Sequence, residues 1–165
     1  LMNADSKMVA AGIAVTVEQA AAPVISRVQR ALKCRVMLDN IIELETFGAI
    51  LSLKPLLFPA LLFMDFKAAF PSISHGYLHQ VLAALGVPQS VRHSMLNLYS
   101  DHRCHVNFAN IRIDGFHVGA GIRQGCPLSP LLYLISLQPL IDTLESSLPA
   151  QEGDLSRLRL EDRAR

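Results

Sequence analysis

The chain has 165 residues, 51% of them apolar and 18% charged, with a formal net charge of +1. That length suits one ordinary domain or a piece of a larger one, and the near-neutral balance excludes the broad basic footprint by which nucleic-acid binders are usually recognised. Cys34, Cys104 and Cys126 stand far apart, which excludes a paired-cysteine metal clamp and a disulfide framework and points to a reducing, intracellular setting.

Mean hydropathy is +0.33, high enough that much of the surface expects a partner. Met8 to Val17, flanked by Lys7 and Ala20 to Ala22, superficially resembles a signal peptide. Leu1 in first place and Glu18 in the pattern make an internal fragment the simpler reading. The apolar stretch Phe47 to Met64 is long enough to span a bilayer but is broken by Lys54, Pro55 and Pro59, so no membrane helix is expected.

Leu32, Met37, Leu38, Ile41, Ile42 and Leu44 recur at helical spacing, which predicts a helix over 28–51. After the prolines at 55 and 59, Ala60 to Phe66 is a short continuous apolar run, the pattern of a strand buried on both faces. Ser74 is placed to cap a helix carrying Tyr77, Leu78, Val81, Leu82 and Leu85 and closing at Gly86. Pro88 opens a second helix that runs to about Asp101. Alternation from Cys104 to Val118 predicts an antiparallel hairpin, with Asp114-Gly115 as its tight turn. A glycine loop follows, then a long apolar helix over 131–148 containing Pro139, and a charged tail, expected to be loose, from Pro149 onward. This order makes the fold α+β.

The chemistry-bearing residues begin with Asp65, an acid at the end of an oily run. Burying such a group unpartnered costs several kcal/mol on the order of the usual ionic penalty, so a partner is expected. As a turn or capping acid beside Lys67 it would need no further role, and the residues alone leave both readings open. The glycine loop Gly121-Ile122-Arg123-Gln124-Gly125-Cys126-Pro127 is, alone, ordinary punctuation before a proline-opened helix. Asp101-His102-Arg103-Cys104-His105 has its ligand types too close together for a zinc site and is read as a polar loop. His75 and His79, one helical turn apart, are read as surface residues.

Taken together, FMDFKAAF (residues 63–70) and GIRQGCPLSPLLY (residues 121–133) resemble motifs A and B of reverse transcriptases of the non-LTR retrotransposon type, and CRVMLDNIIELET (residues 34–46) is similar to the fingers segment that precedes motif A. The resemblance covers Cys34 to about Pro149 and divides the chain into a divergent segment 1–33, partial fingers and palm over 34–149, and a charged tail 150–165. It implies part of a right-hand polymerase with a small antiparallel sheet packed by helices. The implied reaction is RNA-templated transfer of a deoxynucleotide from a dNTP to a DNA primer 3′-end by a two-Mg²⁺ mechanism.

In that scheme Asp65 and the carbonyl of Phe66 ligate metal, Phe70 refuses a ribose 2′-hydroxyl, and Gln124 with Gly125 lies under the incoming nucleotide. Arg123 reaches a phosphate, and Arg35 and Lys67 are further candidates for phosphate contacts. Cys34 stands where many relatives carry glycine, and Pro71 where Asp or Asn is frequent. The paired aspartates of motif C are not in the sequence, Glu161-Asp162 lacking the flanking apolar strand. A thumb is absent too. The isolated polypeptide is therefore expected to have little or no polymerase activity and to depend on the remainder of a longer polymerase. The alternatives are a non-catalytic remnant that binds nucleic acid or protein through its apolar surface, and an unrelated secreted α+β protein.

Overall fold

The computed structural model describes residues 3–32, 35–53, 62–100 and 103–147. Helix α1, Ala4–Ala21, starts where the Asn3 side chain accepts the Ser6 N–H at 2.8 Å, which satisfies one of the unpaired donors of a helix N-terminus. It turns Ala10, Val17 and Ala21 inward. Small residues on that face let α1 lie against α5, Ser129–Ser147.

Between α1 and α2, Leu38–Ser52, the chain makes turns in place of the first part of the helix predicted over 28–51. Tertiary bonding explains the later start. The Arg35 guanidinium donates to the carbonyls of Ala22, Ile25, Ser26 and Gln29 at 2.6–3.2 Å. The Ser26 N–H and the Gln29 amide both donate to Gln138 Oε1 at 2.8 Å. Asp39 and Glu43 share a helix face one turn apart, and Arg30 sits 3.7 and 2.7 Å from them. No residue of α2 is buried.

The next two helices follow expectation. Ser74 caps α3, His75–Ala84, by accepting the Tyr77 N–H at 3.1 Å, and Leu78, Val81 and Leu82 face inward. Pro88 precedes α4, Gln89–Asn97, which buries Met95. Both α4 and α5 pack on α3. Leu82, Met95, Leu128, Leu132 and Ile135 have no exposed surface, and each such side chain contributes on the order of 1.5–3 kcal/mol by leaving water. Pro139 lies inside α5 and brings no N–H to the Ile135 carbonyl. The Tyr77 hydroxyl and the Gln29 amide donate to the nearby carbonyls of Ser136 and Leu134.

The apolar strand predicted over 60–66 is not formed by its described part. Residues 62–66 run without a ladder partner, and Leu62 and Phe63 are 78% and 79% exposed. A doubly buried strand needs flanking strands and a layer on each face, and the described residues supply neither. The hairpin exists, as β1, Arg103–Phe108, and β2, Ile111–His117.

Its turn is Ala109-Asn110, both with positive φ (48° and 64°), the geometry of a two-residue hairpin turn whose twist suits the flanking strands. Asp114-Gly115, predicted as the turn, sits within β2. There a Cβ on Gly115 would stand 2.1 Å from the Cys104 carbonyl oxygen, next to a register shift. The hairpin is also exposed on both faces, so the expected cover of helices over the sheet is absent among the described residues. The tail from Pro149, the proline joint at 55–59, Cys34, Asp101 and His102 lie outside the described residues. No described helix is long and apolar enough to cross a membrane.

Candidate functional site

The two segments singled out by the sequence meet through the main chain. Residues 67–72 turn sharply, with Ala68 at φ 55° and the Ser72 N–H donating to the Ala68 carbonyl at 2.9 Å. The glycine loop then lies across this turn. Gly121 N–H donates to the Ile73 carbonyl at 2.8 Å, Ile122 N–H to the Phe70 carbonyl at 2.9 Å, and Ser74 bridges to Ala120. Gly121 has φ 96°, and a Cβ there would stand 3.0 Å from both Cα and O of Pro71. Only a glycine fits both the conformation and the approach.

Side chains reinforce the seam. His75, read from the sequence as a surface residue, is half-buried, with Nε2 2.9 Å from the Gly121 carbonyl oxygen; accepting there, the carbonyl requires the ring to carry its proton on Nε2. Behind it, the Tyr99 ring lies 5.8 Å from His75 and is almost fully buried. Ser129 Oγ donates to the Arg123 carbonyl and lies 3.2 Å from the Tyr99 hydroxyl, which is also placed to donate to Cys126 Sγ at 3.7 Å. Burial pushes the Tyr99 phenol well above its ordinary range, with the bond to Ser129 acting in the opposite direction. This network fixes the base of the glycine loop; Ser129 falls within the motif B stretch, but the sequence assigned no role to it or to Tyr99.

Each expected site residue can now be placed. Asp65 and Phe66 are exposed in the extended stretch leading into the turn. Phe70 is half-buried, its ring stacked on Tyr133 of α5 with centroids 4.9 Å apart and planes 18° from parallel. Burial first, and then the Asp65 charge, raise the Tyr133 phenol, which places the carboxylate within electrostatic reach of that ring. Lys67 is exposed, as are Gln124 and Gly125 at the tip of the glycine loop, where Gly125 has φ 79°.

Two arginines are differently engaged from the phosphate contacts expected of them. Arg123 lies 5.6 Å over the Tyr99 ring and donates to the Leu98 carbonyl. Desolvation lowers the pKa of this guanidinium. Arg35 is committed to its four carbonyls, and burial with the nearby Arg30 and Arg27 lowers its pKa as well. An arginine so engaged gives up existing bonds before it can bind phosphate.

Among the described residues no three His, Cys, Asp or Glu side chains gather closely enough to hold a metal ion. Asp65 and the Phe66 carbonyl are oxygen donors suited to a hard divalent cation, but two oxygens fall short of the six that Mg²⁺ requires. A pair of Mg²⁺ ions therefore does not fit the described donor set. His105 and Asp114, facing each other across the hairpin at 3.2 Å, form a simple cross-strand pair. A cavity of about 510 Å³ is lined by His75, Gly76, His79, Gln80, Leu96 and Ser100. It touches the seam only through His75, and Asp65, Phe70 and the glycine loop do not line it.

Comparison with known proteins agrees with the two motifs. Residues 7–155 match the family model described as "Reverse transcriptase (RNA-dependent DNA polymerase)". The match begins ahead of Cys34 and takes in most of α1. Over 91 residues, 55% of the chain, it is 31% identical to the Retrovirus-related Pol polyprotein from type-2 retrotransposable element R2DM of Drosophila melanogaster. It is 30% identical over 153 residues, 90% of the chain, to the Transposon TX1 uncharacterized 149 kDa protein of Xenopus laevis. With the Retrovirus-related Pol polyprotein from type-1 retrotransposable element R2 of Popillia japonica it shares 26% identity over 112 residues, 68% of the chain.

The aligned parts span 9%, 11% and 18% of those relatives. No solved structure matches. The chain belongs to the reverse transcriptase (RNA-dependent DNA polymerase) family, and its likeness is to the non-LTR retrotransposon type.

Proposed function

We propose that the chain is part of the fingers and the first half of the palm of an RNA-directed DNA polymerase, carrying the nucleotide-holding side of the site. The observation that supports this most is the seam itself, where the Phe70–Ser74 segment and the Ala120–Ile122 segment are bonded main chain to main chain. Two sequence-distant motifs joined in this way can present their side chains to one ligand.

In this reading Phe70 presents an aromatic edge to the sugar and disfavours a ribose hydroxyl. Gln124 offers both donor and acceptor groups to the nucleotide, and Gly125 lets the backbone approach closely. Asp65 and the Phe66 carbonyl contribute oxygen ligands toward a divalent cation, and Lys67 is a free point charge for phosphate. The remaining carboxylates would come from elsewhere in a longer protein, together with most of the grip on RNA template and DNA primer. The 165-residue chain on its own is accordingly inactive or nearly so.

The test is primer extension on an RNA template by this chain and by a longer protein that continues past residue 165, each with an Asp65→Asn control. The short chain should not extend, and the longer one should extend and lose at least ~10³-fold on substitution of a metal-binding acid. Extension by the short chain that survives Asp65→Asn would contradict the site assignment.

A second reading, a non-catalytic remnant acting as an interaction module, is favoured by the exposed apolar face of the hairpin, with Val106, Phe108, Ile111 and Ile113 all more than half exposed. Genomic context separates the two. An in-frame aspartate pair downstream supports the enzyme, and a stop codon supports the remnant.

A further inference from the structure

The seam fixes the main chain of Phe70 but leaves open what orients its ring. Phe70 is held from two sides: its carbonyl by the Ile122 N–H at 2.9 Å, and its ring by Tyr133 at 4.9 Å and 18°. That separation and tilt lie in the offset-stacked range that aromatic pairs prefer. Tyr133 is itself firmly mounted. It sits in α5 between Leu132 and Leu134, both buried, and its own carbonyl accepts the Ser136 hydroxyl at 2.8 Å.

A branched aliphatic side chain would fill the same space. A flat ring against a flat ring does more, because it restricts the Phe70 ring to one plane. We propose that Tyr133 is a positioning residue of the candidate nucleotide site, the platform that fixes the Phe70 ring and so sets how strictly a ribose is refused. The inference rests on the nucleotide reading above and adds to it a residue on a different element. Tyr133 touches neither nucleotide nor metal in this scheme, and its effect passes through Phe70.

The functional test uses the longer protein that continues past residue 165 and equilibrium binding of Mg·dATP and Mg·ATP, alongside thermal melting. Tyr133→Phe keeps the ring and should retain the parent's preference for dATP within about twofold, since stacking needs no hydroxyl. Tyr133→Leu keeps apolar bulk without the plane and should reduce that preference by ~10-fold or more, a usual scale for the rejection of one added hydroxyl. A Tyr133→Leu protein that melts lower but keeps the parent's preference makes Tyr133 ordinary core and overturns the inference alone. A folded parent that binds neither nucleotide refutes the nucleotide reading and this inference with it. Should Tyr133→Leu not fold, Tyr133→Met, flexible and similar in bulk, takes its place under the same criteria.

Discussion

Leu132 and Ile113 are both aliphatic side chains in regular structure, yet Leu132 has no exposed surface and Ile113 is 51% exposed. Leu132 belongs to α5, which α1 and α3 cover, while Ile113 belongs to a hairpin whose strands contact chiefly each other. The same contrast separates α3, α4 and the glycine loop from α2 and the stretch 62–66. Apolar composition gives a side chain a reason to be buried, but burial also requires a partner surface. In the reading proposed here the partners of the open regions lie in the rest of a longer protein, of which the matched relatives are five to eleven times the aligned length.

The sharpest way to break that contrast is to cut the same kind of side chain in both regions. Leu132→Ala should lower stability by about 2–5 kcal/mol through lost burial and a residual cavity, measured by urea denaturation. Gly121→Ala comes next. It forces a side chain into a positive-φ position against Pro71, which should cost about 1–3 kcal/mol and loosen the seam without disturbing α1.

Tyr99→Phe should cost about 1 kcal/mol at neutral pH by removing the hydroxyl's bonds to Ser129 and Cys126. Its pH behaviour is more telling. The Tyr99 phenol is raised in the folded state, so its contribution is complete below the ordinary tyrosine range and declines as pH climbs through that range toward the folded value. Tyr99→Phe should therefore show a shallower loss of stability above about pH 10 than the parent; equal slopes would mean that Tyr99 is not buried as described. The smallest effect belongs to Ile113→Ala, within about 0.5 kcal/mol as for other exposed sites. A loss matching that of Leu132→Ala would show the hairpin to be covered after all.

Sequence reading succeeded where local signals and tertiary context agree. Ser74 before Tyr77-Leu78 and Pro88 before α4 mark helix starts that depend on nearby residues, and both were legible. It failed where partners are distant or missing. Leu62 to Phe66 has the composition of a central strand, but strand formation depends on neighbours that the described residues do not provide. The hairpin turn was misplaced because Asp-Gly is the commoner signal for a tight turn, while Ala109 adopts a left-handed conformation that costs alanine roughly 1–2 kcal/mol. Gly115 is required for a different reason, the close approach of the Cys104 carbonyl.

At the site, Asp65, Phe70, Gln124 and Gly125 were legible as motif residues. The network beneath them was not. Tyr99 and Ser129 meet 30 positions apart, and nothing in the spacing of either marks the contact. His75 sits one turn from His79 on α3, a pattern that says surface, and only the fold brings it to the Gly121 carbonyl. Arg35 illustrates the converse: a cation looks available to phosphate in sequence, and in the fold its guanidinium already donates to four carbonyls.

The account depends most on the union of the turn after Asp65 with the glycine loop, and amide hydrogen exchange reads it residue by residue. Gly121 and Ile122 should exchange as slowly as the buried stretch of α5, because their N–H groups are bonded to Ile73 and Phe70 beneath a packed network. Exchange of both at the rate of an open loop, with α5 still protected, would show that the two segments do not form one site.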